Sequence, residues 1–222
     1  MSQDLWSAVD RYICDKLVAP DEALEHALSA SSAAGLPPIN VAPNQGKLLQ
    51  LYARIVGARN ILEIGTLGGY STIWLARALP AGGRVVTLEA LPKHAEVARA
   101  NFAHAGLADR IELRLGQALD VLAQLASEQR EPFDLAFIDA DKARIPEYFD
   151  WSLKMSRPGS IIVVDNVVRN GRVIDAATTD ADIQGVRRFN DLVSRDPRVS
   201  ATAIQTVGSK GHDGFALALV NG

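Results

Sequence analysis

A chain of 222 residues, 48% hydrophobic and 22% charged, has the composition of an ordinary soluble globular protein with room for one large core. Its net charge of −3 argues against a polyanionic partner, without excluding a local basic patch. The single cysteine, Cys14, permits no internal disulfide and fits a reducing compartment; its place in an apolar helical pattern reads as a packed thiol.

In chain order, Asp4 to Ala34 reads as two helices broken near Ala19-Pro20. Leu5, Val9, Ile13 and Leu17 form a helical stripe in the first. Asp21-Glu22 places acids in the first turn of the second, and Gly35-Leu36-Pro37-Pro38 ends it. Gly46 to Ile55 is a third helix. Residues 1–56 are thus expected as a helical cap, and 57–222 as an α/β core within a single domain. No stretch approaches the ~20 apolar residues of a membrane helix. The start, Met1-Ser2-Gln3-Asp4, is not basic and precedes no apolar core, so the expected location is the cytoplasm.

From residue 61 strands and helices alternate. Expected strands are Ile61–Ile64, Arg84–Leu88, Ile111–Leu115, Phe133–Ile138, and Ile161–Val164 after a turn at Pro158-Gly159. Expected helices are Ser71–Leu79, Pro92–Ala105, Leu119–Ala126 and Pro146–Met155. This order implies a parallel sheet with helices on both faces. A helix over Ile183–Ser194 then leads to two strands, Val199–Val207 and Phe215–Val220. With no helix between them, they suggest an antiparallel hairpin at the edge.

The first βα turn is Glu63-Ile64-Gly65-Thr66-Leu67-Gly68-Gly69-Tyr70-Ser71. Its glycines allow a tight turn and close approach of a ligand to the main chain. The spacing is G-x-x-G-G and not the dinucleotide pattern G-x-G-x-x-G. Glu63, just before the first glycine, would repel a pyrophosphate and attract a cationic ligand. Glu89, at the end of the second strand, is placed to accept hydrogen bonds from a ribose diol.

Two apolar runs end in oxygen ligands: Phe137-Ile138-Asp139-Ala140-Asp141-Lys142 and Ile161-Ile162-Val163-Val164-Asp165-Asn166. As parallel strands they deliver Asp139, Asp165 and Asn166 to the carboxyl edge of one sheet, where open α/β sheets bind ligands. Two carboxylates and an amide oxygen suit a hard divalent cation such as Mg²⁺, with Mn²⁺ and Ca²⁺ as alternatives. Lys142 is close enough to act as a base. Asp141 reads as a loop acid, and Asn40 as a cap for the helix after it. His26, His94 and His104 read as solvated helix residues, and His212 as a loop residue near the substrate end. Arg144 could meet an acidic acceptor or pair with Asp141.

These motifs, in this order, resemble the cation-dependent O-methyltransferases, the group of catechol and caffeoyl-CoA O-methyltransferases, and among them the small bacterial members. The resemblance spans Leu36 to the C-terminus. It rests on Ile39-Asn40-Val41, the loop from Leu62 to Ser71, Glu89, Gly116-Gln117-Ala118, Asp139-Ala140-Asp141-Lys142 and Asp165-Asn166-Val167. It implies a Rossmann-like class I methyltransferase with a mostly parallel seven-stranded sheet, an antiparallel C-terminal hairpin and extra N-terminal helices. It also implies S-adenosylmethionine as methyl donor. Val41, Glu63, Gly65, Thr66 and Ser71 would hold its amino-acid end, Glu89 its ribose, Ala118 its adenine, and Asp139 would lie beside it. Asp139, Asp165 and Asn166 match the family's metal ligands and Lys142 its proposed general base. Asp213-Gly214 resembles the Asp-Gly before the family's last strand, though Ser209 to His212 are extra here.

The expected acceptor is one hydroxyl of an aromatic vicinal diol such as a catechol, caffeoyl or flavonoid-like compound. The alternative is a hydroxyuridine in tRNA, for which Arg169, Arg172, Arg187, Arg188, Arg195 and Arg198 could supply a basic surface. A dinucleotide-dependent oxidoreductase and a non-catalytic binding protein are further readings. Exposed apolar positions on the first helix, Trp6 among them, suggest a homodimer. The loop from Val167 to Thr179 and the N-terminal helices are expected to choose the substrate.

Overall fold

The computed structural model describes residues 2–222. Five parallel strands, β1 (Asn60–Ile64), β2 (Arg84–Glu89), β3 (Ile111–Leu115), β4 (Phe133–Ile138) and β5 (Ser156–Asp165), are followed by a hairpin of β6 (Val199–Gly208) and β7 (Gly211–Val220). The sheet order is β3-β2-β1-β4-β5-β7-β6, with β7 antiparallel to both of its neighbours. The chain reverses its winding between β1 and β4, which opens a crevice at the carboxyl ends of those strands.

The helices are α1 (Gln3–Leu17), α2 (Glu22–Ala33), α3 (Pro43–Ile55), α4 (Tyr70–Ala76), α5 (Pro92–His104), α6 (Ala118–Ser127), α7 (Ile145–Lys154) and α8 (Ala181–Val193). One sheet face packs Leu62, Ile64, Ala136, Ile138, Ile162 and Val164 against α6, α7 and α8. The other packs Ile61, Val85, Leu135, Phe137, Ile161 and Val163 against α2, α3, α4 and α5. Because side chains alternate along a strand, both faces are apolar and the strands read as continuous apolar runs. Glu63, Thr87, Glu89, Asp139 and Asp165 all share the phase of the second face. The same alternation that builds this half of the core therefore aims the polar groups together.

The cap helices α2 and α3 enter that second core through Leu24, Ala27, Leu49 and Ala53. Helix α1 buries none of its residues; Leu5, Val9, Tyr12 and Leu17 are exposed and Trp6 is half-buried. No helix among the described residues is long and apolar enough to cross a membrane.

Several boundaries differ from expectation. Helix α3 starts at Pro43, with Ala42 as its cap, so Asn40 caps nothing; its amide donates to the Val41 carbonyl at 3.0 Å. Proline suits a first helical position because its missing N–H has no partner there. Strand β5 starts at Ser156, and Pro158-Gly159 lies inside an irregular lead-in beside a register shift against β4, not in a turn before the strand. Strand β7 starts at Gly211, because Gly208 and Gly211 pair across a two-residue turn of Ser209 and Lys210. His212 is therefore a strand residue, facing the Gln205 side chain at 3.1 Å, and not a loop residue at the site.

Candidate active site

Gly65 leaves β1 at φ +101°, and a Cβ there would collide with the backbone carbonyl of Asp139. Only glycine lets the β1 and β4 ends approach this closely. Gly69 opens α4 in the left-handed region, where a Cβ would strike the Phe102 ring. Behind the loop lies Glu63, fully buried. One of its oxygens accepts from the Ser71 hydroxyl at 2.6 Å; the other accepts from Thr87 at 2.6 Å and from Thr72. Burial pushes this carboxyl up to about 7, against the pull of the three hydroxyls, and the Asp139 charge adds to the rise. Glu63 stands behind the residues that line the cavity, and its hydrogen bond fixes Ser71, which does line it.

Glu89 closes the loop from the other side. Its carboxylate accepts the Leu67 amide at 2.8 Å and the Leu91 amide at 2.9 Å, and His94 Nδ1 stands 3.6 Å away. His94 lines the cavity and is half-buried, not simply solvated as its helix position suggested. His26 and His104 stack on each other with ring centroids 3.7 Å apart, outside the cavity.

At the ends of β4 and β5, Lys142 Nζ donates to Asp139 Oδ1 at 2.7 Å, and Lys142 is buried. Lys142 sits in a single 3-10 turn, Lys142–Arg144, clamped by α8: Gly185 packs against the Lys142 carbonyl and Arg188 donates to the Ala143 carbonyl at 2.7 Å. Asp165 is buried and accepts the Asn166 amide at 2.9 Å. Burial first, then the charge of Asp139, pushes its carboxyl up; Lys142 and a hydrogen bond from Gln45 oppose this. Asn166 itself is left-handed, at φ +62°. Asp141 accepts from the Tyr148 hydroxyl and stands 3.9 Å from Arg144, a loose pair.

Two close carboxylates balanced by one lysine make an electron-rich corner. Among the described residues no three His, Cys, Asp or Glu side chains cluster as a ready ligand set, so the amide oxygen of Asn166 would have to complete one. The set is all oxygen, as a hard cation requires.

These groups border one cavity of about 900 Å³. Val41, Gly65, Thr66, Ser71, Glu89, Ala118, Asp139, Lys142 and Asn166 line it; Glu63 and Asp165 stand behind its wall. A cavity of this size, bordered by a glycine loop and an acid-lysine corner, can hold two reactants.

A family model described as O-methyltransferase matches residues 18–219. The chain belongs to the O-methyltransferase family. The match starts before Leu36 and takes in α2 as well as the α/β core. The chain is 55% identical over 96% of its length to a catechol O-methyltransferase of Mycobacterium tuberculosis, 94% of which is covered. It is 52% identical over 99% of its length to a catechol O-methyltransferase of Niastella koreensis, covered in full. Among solved structures, a Bacillus cereus O-methyltransferase in complex with S-adenosylhomocysteine superposes with a TM-score of 0.98 at 59% identity, covering 99% of this chain and 100% of that one. The O-methyltransferase TomG of Streptomyces achromogenes, in complex with S-adenosylmethionine, gives 0.97 at 53% identity, with both chains fully covered. An oxidoreductase and a non-catalytic binding protein are set aside.

One residue beside this O-methyltransferase site carried no sequence signal. Asn101, on α5, donates to the Gly68 carbonyl at 2.8 Å and holds the loop from outside. Asp213, which the Asp-Gly resemblance singled out without a role, accepts the amides of Val168 at 3.0 Å and Arg169 at 2.9 Å, fixing the segment after Asn166. Thr87 could have been found, since it shares the strand phase of Glu89. The late arginines are mostly engaged locally. Arg169 pairs with Asp182 at 3.4 Å, Arg172 with Asp180 at 2.9 Å and Arg198 with Asp196 at 2.6 Å, while Arg187 donates to the Val173 carbonyl at 2.7 Å.

Proposed function

We propose that this S-adenosylmethionine-dependent O-methyltransferase acts on one hydroxyl of an aromatic vicinal diol and uses a divalent cation. The observation that carries the reading is the buried Lys142 side chain, its Nζ 2.7 Å from Asp139, at the corner shared with Asp165 and Asn166. The donor fits the glycine-loop end. Ser71, aimed by Glu63, would meet its carboxylate, Gly65 would admit its ammonium near the main chain, and Glu89 would accept from its ribose hydroxyls. Ala118 lies at the adenine end. Asp139, Asp165 and Asn166 would hold the cation, which when bound would acidify a diol hydroxyl and fix both oxygens.

Lys142 would take up the hydroxyl proton, the general-base role that the family resemblance implies. The oxygen then attacks the sulfonium methyl; the new C–O bond forms as the S–C bond breaks, and the electron pair stays on sulfur as S-adenosylhomocysteine. The enzyme's main contribution is holding donor and acceptor in line. The local pairing of the late arginines favours a small acceptor over tRNA. The exposed apolar face of α1, with Ile204 and Val207 exposed on the β6 edge, supports a homodimer.

The test is methyl transfer from labelled S-adenosylmethionine to catechol and to undermodified tRNA, each with Mg²⁺ and with excess chelator. Labelling of catechol that chelator abolishes is the expected result. Labelling of tRNA alone, or chelator-resistant turnover, overturns the reading.

A further inference from the structure

Three Lys or Arg side chains line the cavity: Lys142, Arg169 and Lys210. Lys142 faces Asp139 and Arg169 faces Asp182. Lys210 has no carboxylate within 4.0 Å among the described residues; its Nζ donates only to the Pro38 carbonyl at 3.0 Å. The residue is exposed overall, yet partial burial at the rim holds its amine below the usual lysine range.

Its position is fixed. The turn that carries Lys210 is tied to α1 by the Ser209 amide donating to Asp10 at 2.7 Å, and by Gln3 donating to the Gly208 carbonyl at 2.9 Å. The adjoining start of β7 accepts the Asn170 amide on the His212 carbonyl at 3.0 Å. Lys210 therefore stands at the cavity rim, between Pro38 and the segment that follows Asn166. A cation held there, balanced by no protein charge, is complementary to an anionic ligand.

We propose that Lys210 is a specificity-determining residue and that the acceptor is an aromatic vicinal diol bearing a carboxylate. The inference rests on the diol reading above. The diol enters toward the corner where Asp139, Asp165 and Asn166 would hold the cation, so a carboxylate elsewhere on the ring stays at the rim with Lys210. Chelation at one end and charge at the other thus set the orientation of the ring.

The test compares kcat/KM for 3,4-dihydroxybenzoate, its methyl ester and 3,4-dihydroxybenzylamine, with Mg²⁺, in the wild type and in Lys210→Met and Lys210→Arg. A charge-assisted hydrogen bond at a partly desolvated site should favour the acid over the ester by about tenfold. Lys210→Met should lose that preference through the acid alone, leaving the ester rate as the folding control, and Lys210→Arg should restore it. Equal rates on acid and ester in the wild type overturn the proposal. So does an unchanged ratio in Lys210→Met, the result expected if Lys210 only straps the hairpin to Pro38. If none of the three diols is methylated, the diol reading itself has failed, and the proposal falls with it.

Discussion

Glu63 is the most deeply buried charged residue among those described, and its titration is tied to folding. Its carboxyl sits at about 7 in the folded chain against 4.5 when exposed. Between those values the folded state keeps a proton that the unfolded state has released. Stability is therefore greatest at low pH and falls as pH rises through this window, with the loss complete above about 7. At about 1.4 kcal/mol per unit, the move from pH 5 to pH 8 should cost about 2 to 3 kcal/mol through this one group. The side chain is fully buried, so solvent screening takes little away. Glu63→Gln does not titrate, whereas Asp165 titrates in both proteins and cancels. The check is urea unfolding followed by tryptophan fluorescence at pH 5, 6, 7 and 8, with chelator and without donor. The stability difference, wild type minus variant, should fall by that amount at constant slope. Parallel profiles would refute the reasoning and leave Glu63 with an ordinary carboxyl.

Lys142→Met should lower the single-turnover rate by about 10² to 10⁴-fold, the usual range for a lost general base. Affinity for S-adenosylhomocysteine, measured by calorimetry, should stay within a few-fold; an unchanged chemical step removes Lys142 from the reaction. Asp213→Ala should destabilise the chain by about 1 to 3 kcal/mol, because it strips acceptors from the half-buried amides of Val168 and Arg169. The same variant should weaken cation-dependent thermal stabilisation, since those amides lie two and three residues after Asn166; a normal metal response would confine Asp213 to folding.

The core and much of the site were legible in the chain because strand alternation is local. Ile61-Leu62-Glu63-Ile64 and Phe137-Ile138-Asp139 announce both a buried strand and a polar group in a known phase. Glycines 65 and 69 announce a turn that other residues cannot make. Boundaries failed where local chemistry was ambiguous. Pro158-Gly159 reads as a turn, yet the β4 edge accepts it as an irregular strand start. Ser209 to His212 reads as loop, yet Gly208 and Gly211 close a hairpin across it.

The sequence by itself determined the alternating α/β order, the acid-ended strands and the glycine loop, since each depends on residues within a few positions. Only the tertiary structure decided that Glu63 is held by Ser71, Thr72 and Thr87, that α8 clamps the Lys142 turn, and that Lys210 reaches the cavity rim without a countercharge. Those facts depend on partners that are distant along the chain for most of these groups. Lys210 meets Pro38 across 172 positions and Arg188 meets Ala143 across 45. Packing brings such groups together, and with them come the burial and hydrogen bonds that decide whether a charge is neutralised, displaced in pKa or left to meet a ligand.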